Sequence, residues 1–217
     1  MKYISLGSTC GVAYQFQQFG IKKESLPFDW VKSMSFDAVI AILKNGFNSF
    51  GAYHDLVLCR ESKKHPVLQT DQWQDSVVPL TSYVYQNSLG IMFFHDFEKP
   101  FNDETDDIYI EFKNKYQRRF KRLYELFASG EELIFVRDEH KPHNLKLEII
   151  IEFVEWLKSQ LTNGTTMKFI FIINNPKNKT FKWMTKLESY NIKFYNDDNQ
   201  IANWQRSNLD WKTILNV

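Results

Sequence analysis

Cysteine is scarce in this chain: only Cys10 and Cys59 occur among 217 residues. That argues against a disulfide framework, and no Cys-x-x-Cys pair exists to build a zinc ribbon. No run of 18 apolar residues is present, so no membrane span is expected. Charge of one sign is missing too. A formal net charge of +1 provides no global field to gather nucleic acid or an anionic membrane. Internal repeats and low-complexity linkers are absent, and no Asp-x-Asp metal motif falls at a strand end (Asn196-Asp197-Asp198 comes nearest). The opening residues, Met1 to Gly7, are too short and too polar afterwards for a signal peptide. The expectation is a protein of a reducing compartment, the cytoplasm.

What the chain does have is apolar and aromatic mass. With 19 Phe, 10 Tyr and 6 Trp it can bury a sizeable core, and its length suits one large domain or two small ones. Tyr3 to Leu6 reads as a buried strand that stops at Gly7. Ser8 or Thr9 can cap the helix that follows, whose Val12, Ala13, Phe16 and Phe19 fall at helical spacing and which ends at Gly20. Pro27-Phe28-Asp29-Trp30 reads as an aromatic turn and Phe36 to Leu43 as a second helix. Residues from about 50 to 80 read as loops with short strands. Ser82 to Tyr85 and Ile91 to Phe94 form a hairpin signal around Asn87-Ser88-Leu89-Gly90. Phe112 to Phe127 is a charged amphipathic helix with a solvated basic face. Leu133 to Val136 and Met167 to Ile173 are compact apolar strands on either side of a helix over Leu145 to Leu161. A helix over Phe181 to Tyr190 and a strand over Ile192 to Tyr195 follow.

Apolar strands alternating with amphipathic helices predict an α/β fold: a mostly parallel, Rossmann-like sheet with helices on both faces. The economical organisation is one domain over residues 1–217, with residues 50–95 as an irregular, loop-rich elaboration.

In open α/β sheets ligands gather at the carboxyl ends of strands. Four polar clusters fall there: Cys10 after the first strand, His95-Asp96 after Phe94, Arg137-Asp138 after Val136, and Asn174-Asn175 after Ile173. The turn Gly7-Ser8-Thr9-Cys10-Gly11 is the leading candidate. Backbone N–H groups and the helix dipole favour a thiolate at Cys10, and the same N–H groups can donate to an oxyanion. His95 is the best placed of five histidines to act as base. Neighbouring side chains on a strand point opposite ways, so Asp96, Asp29 or Asn174 are all candidates to orient it. Small residues at Gly7, Ser8, Thr9 and Gly11 also suit phosphate, although the glycine spacing matches neither a Walker loop nor G-x-G-x-x-G. Arg137 can bind a carboxylate or phosphate, or serve as an ion-pair partner of Asp29, Asp96 or Asp138. Trp30, Trp204 and Trp211 can offer a stacking platform or simply fill the core. The pair His140-x-x-His143 lies in a Pro-containing loop and is a poor metal site.

Ile4-Ser5-Leu6-Gly7-Ser8-Thr9-Cys10, Pro27-Phe28-Asp29-Trp30, His95-Asp96-Phe97 and Phe135-Val136-Arg137 together resemble a family of bacteria and large DNA viruses labelled "putative papain-like cysteine peptidase". The resemblance spans roughly residues 3 to 140. It implies a Cys–His site, with Cys10 as nucleophile and His95 as base, and it makes a papain-like α+β fold the alternative architecture. Papain's own Cys-Gly-Ser-Cys-Trp segment is absent, and here a strand immediately precedes the cysteine turn. Two functions stand from the sequence. One is a thiol hydrolase or acyltransferase on a peptide, glycan or small molecule, without cofactor or metal, in the cytoplasm (of the host, if viral). The other is a transferase of glycosyltransferase type that binds phosphate or a sugar nucleotide through the Gly7–Gly11 turn and Arg137.

Overall fold

A computed structural model describes residues 1–62, 82–175, 185–198 and 204–217. In chain order the elements are β1 (Lys2–Ser5), α1 (Gly11–Gln18), β2 (Val31–Ser33), α2 (Phe36–Asn45), α3 (Asn48–Gly51), β3 (Val57–Ser62), β4 (Ser82–Gln86), β5 (Ile91–Phe93), α4 (Asp107–Leu126), β6 (Glu132–Glu139), α5 (Leu147–Gln160), β7 (Thr166–Asn174), β8 (Ile192–Asp197) and α6 (Trp211–Leu215). They form a mixed α/β structure with two sheets. One is parallel, in the order β1-β6-β7-β8; the other is antiparallel, in the order β2-β5-β4-β3.

The parallel sheet is apolar on both faces because helices cover both. Leu133 and Phe135 of β6, with Phe169, Phe171 and Ile173 of β7, face a core shared with α2, α4 and α5. Ile134, Val136, Ile170 and Ile172 face the other way, against Val12 and Phe16 of α1 and Trp211, Ile214 and Leu215 of α6. The period of two along each strand produces this division. Ile91 and Phe93 of the antiparallel sheet join the first of these cores.

Several expectations shift. The stretch read as loops with short strands and a hairpin supplies β3 and, as expected, the hairpin β4–β5; with β2 these build a second sheet. Residues 63–81 of that stretch lie outside the described residues. β6 runs on to Glu139 rather than stopping at Val136, because a fully covered strand tolerates charged residues when each is paired. The helix expected over Phe181 to Tyr190 is described only as a 3-10 turn over Thr185–Tyr190; its first residues lie outside the described ones. Neither Ser8 nor Thr9 caps α1. Cys10 holds the N-cap position without a side-chain cap bond, and Thr9 Oγ1 accepts from Gly11 N–H at 3.4 Å.

Register sets the site. Ser5 lies opposite Val136, Glu139 opposite Ile173, and Asn174 opposite Asp197. All four strands of the parallel sheet therefore end on one edge. Beyond β1 the chain stays zipped to β6: Leu6 N–H donates to the Val136 carbonyl at 2.8 Å and Asp138 N–H to the Gly7 carbonyl at 3.2 Å.

Candidate functional site

The Gly7–Gly11 turn sits on that edge and meets the last residue of β2, Ser33, in the antiparallel sheet. Gly7 has φ +77°, a conformation open to glycine, and a methyl group there would run into Ser33 Oγ. Ser33 N–H donates to the Ser8 carbonyl at 2.8 Å. Ser8 is buried, with its hydroxyl 3.7 Å from Met34 Sδ.

Cys10 packs against the small cluster formed by Ala13 and Trp30. It is half-buried, but its thiol is desolvated, and burial pushes it from an ordinary 9.0 up to about 11; its own backbone N–H and the Lys22 ammonium pull the other way and lose. The helix N-terminus does not deliver a resting thiolate. One reason is visible: a methyl built on Gly11 would overlap the carbonyl oxygen of Trp204, so the C-terminal segment lies directly on the start of α1. Trp204 also contacts the Tyr14 ring edge-on at 5.1 Å, and Gln15 donates to the Gln205 carbonyl at 2.7 Å.

Trp30 is 1 % exposed, which rules it out as an open stacking platform. Its indole donates to Ser25 Oγ at 3.0 Å, and Lys22 Nζ lies 4.1 Å from its ring centre. Asp29 pairs with Lys22 at 2.9 Å and accepts from Leu26 N–H at 2.6 Å. Asp96 turns toward α4, pairing with Lys115 at 2.7 Å and accepting from the Tyr116 hydroxyl at 3.2 Å. Burial, with the Asp96 charge behind it, holds the Tyr116 hydroxyl protonated well above the usual tyrosine range. Both acids considered as orienters of His95 are thus engaged by cations.

His95 is buried and follows β5 of the antiparallel sheet, not a strand of the parallel one. Val31 lies opposite Phe93 in an antiparallel pair. Phe94 and His95 therefore leave β5 at the end of the sheet where β2 begins.

Arg137 is fully buried and committed inward. It donates to Glu139 at 3.1 and 3.2 Å, to the Leu6 carbonyl at 2.9 Å and to Ser33 Oγ at 3.1 Å. Glu139, two residues on and on the same face, is the partner that none of Asp29, Asp96 or Asp138 provides. Asp138 faces the other way and receives Arg206 through two bonds of 2.9 and 3.0 Å. Arg206 also pairs with Asp197, and the His140 ring lies 3.1 Å from Asp138. His140 and Arg206 bonds hold Asp138 below the usual carboxylate range despite its burial. Nothing in the local sequence marks Arg206, whereas the alternation of β6, continued past Val136, pairs Arg137 with Glu139. Asn174 ends β7, and Asn175 N–H donates to the Asp197 carbonyl at 2.8 Å. Among the described residues no three His, Cys, Asp or Glu side chains cluster to hold a metal ion, and no helix is long and apolar enough to cross a membrane.

Compared with known families, the chain matches the one described as "Putative papain-like cysteine peptidase" over residues 1–178. The chain belongs to this family. A further relative, "Uncharacterized protein R408" of Acanthamoeba polyphaga mimivirus, is 55 % identical over 215 residues, covering 98 % of this chain and 96 % of the viral protein. No solved structure matches. The family match takes in every candidate named from the sequence between Gly7 and Asn174, and ends before Arg206 and α6.

Proposed function

We propose that the chain is a thiol-dependent hydrolase or acyltransferase in which Cys10 attacks an acyl carbon and His95 takes the thiol proton. The observation that carries this reading is the β2–β5 register: Cys10 packs against the Ala13–Trp30 cluster, and His95 follows the strand paired to β2, which begins directly after Trp30. Membership of the peptidase family supports the same chemistry. Because burial keeps Cys10 protonated, attack and proton transfer are coupled: the Sγ–C bond forms as the S–H proton passes to His95, and the imidazolium then protonates the leaving group. In such a site His95 acts as a general base rather than as the partner of a preformed ion pair. We read residues 1–217 as one domain working on this site. The phosphate-binding alternative loses its anchor, since Arg137 already donates four bonds within the protein.

The test is a panel of activated esters and peptide amides offered to wild type, Cys10→Ala and His95→Gln. Turnover is expected to vanish in Cys10→Ala and to fall about 10²–10⁴-fold in His95→Gln, with both variants still unfolding in a single cooperative transition. Turnover that survives Cys10→Ala would sink the proposal.

A further inference from the structure

Lys22 is the most unusual side chain beside the Cys10 turn. It is 7 % exposed, a degree of burial that lysine reaches only when paired. Asp29 is the partner, fixed in turn by Leu26 N–H. The ammonium also sits 4.1 Å from the centre of the Trp30 ring, and Cys10 packs against the cluster that Trp30 forms with Ala13. Ser25 anchors the indole, so the ring is held in place with the lysine over it and the cysteine packed against the same small cluster.

We propose that Lys22 is a positioning residue for the Cys10 site, supplying from the face of the Trp30 ring the positive charge that favours the negative charge developing on Cys10 Sγ as its proton passes to His95. This rests on Cys10 being the nucleophile. Lys22 is also the cation that draws the Cys10 proton affinity down against burial. The other charges around it are compensated by their own counter-ions: Glu24 on Arg122 at 3.3 Å, Asp96 on Lys115, and Arg206 on Asp138 and Asp197. His95 and His140 are the titratable rings at the neighbouring strand ends, and Lys23 is exposed. Asp29 has the opposite effect to Lys22: it holds the ammonium in place and cancels part of its field. The two partners should therefore act on Cys10 in opposite directions.

The experiment follows alkylation of Cys10 by iodoacetamide across pH 6 to 12, in a Cys59→Ser background so that one thiol is read. Alkylation forms the S–C bond and expels iodide, and its rate tracks the thiolate fraction. Lys22→Met is expected to move the midpoint up and to slow labelling at pH 8 several-fold, at about tenfold for each pH unit that the midpoint moves. Lys22→Arg restores the wild-type profile. Asp29→Asn moves the midpoint down and speeds labelling, because the ammonium is left uncompensated. Equal acceleration in Lys22→Met and Asp29→Asn is the mark of a loosened site and overturns the proposal, as does an unmoved midpoint in folded Lys22→Met. If Lys22→Met does not fold, an Asp29→Asn profile identical to wild type overturns it instead. Alkylation needs no substrate, so a failure here is distinct from a failure of the hydrolase reading, which His95→Gln turnover reports.

Discussion

A helix N-terminus and a dry packing environment act on a cysteine in opposite senses, and at Cys10 the packing prevails. Burial outweighs the backbone N–H and the Lys22 charge, leaving the thiol at about 11 against an ordinary 9.0. The folded chain thus prefers the protonated form. Its stabilising contribution is complete below pH 9 and is lost as pH climbs towards 11, because the unfolded chain ionises its thiol first. The difference in unfolding free energy between wild type and Cys10→Ala is therefore expected to shrink from pH 8 to pH 11. The shrinkage is about 1.4 kcal/mol for every tenfold difference in thiol acidity between the folded and unfolded chains. Urea titrations at stepped pH measure it, and a constant difference would contradict the buried thiol. At the same scale Arg137 shows why a residue type does not disclose its role. An arginine at a strand end can bind a ligand, and this one is held by Glu139, Leu6 and Ser33 before any ligand arrives.

Among the elements, α1 and β6 do most to shape the site. The start of α1 is covered by the backbone of Trp204, which is why Gly11 has no side chain. Alanine is the better helix former by up to about 1 kcal/mol. At Gly11, though, its methyl would drive into a backbone carbonyl, and overpacking of that kind costs about 1–3 kcal/mol. Gly11→Ala is expected to lower the urea midpoint, where helix propensity alone would raise it. A raised midpoint would mean that the C-terminal segment yields freely. β6 sends Arg137 and Glu139 to one side of the sheet and Asp138 to the other. One strand end therefore ties down both the antiparallel sheet, through Ser33, and the C-terminal segment, through Arg206.

In the molecule as a whole, Arg206 joins the ends of β6 and β8 to the segment that leads into α6. It is fully buried, adopts a left-handed φ of +51° and accepts from the Trp211 indole through its carbonyl at 2.8 Å. Arg206→Met would leave Asp138 and Asp197 facing each other without their cation. Breaking such a buried arrangement costs about 3–5 kcal/mol, a fall in melting temperature of roughly 6–20 °C for a chain of this size. Calorimetry reads this directly, and a shift of under about 2 °C would mean that the clamp contributes little. The parallel sheet was legible in the sequence because Leu133 to Val136 and Met167 to Ile173 are unbroken apolar runs, apart from Lys168, and such runs are buried on both faces. The Cys10 turn was legible because a glycine-rich stop followed by helical spacing has few other readings. Of the second sheet the β4–β5 hairpin was legible from its turn residues, whereas β2 and β3 were obscure, since the pairing of each depends on a partner well along the chain. The sequence alone determined where the cysteine lies, at a strand-to-helix turn on the sheet edge, because hydrophobic period and turn residues are local properties. Only the tertiary structure decided what surrounds it: Lys22 over Trp30, Trp204 over Gly11, and Arg206 on Asp138 from 68 residues away. Burial and charge pairing depend on distance in space, and spacing along a chain does not encode it.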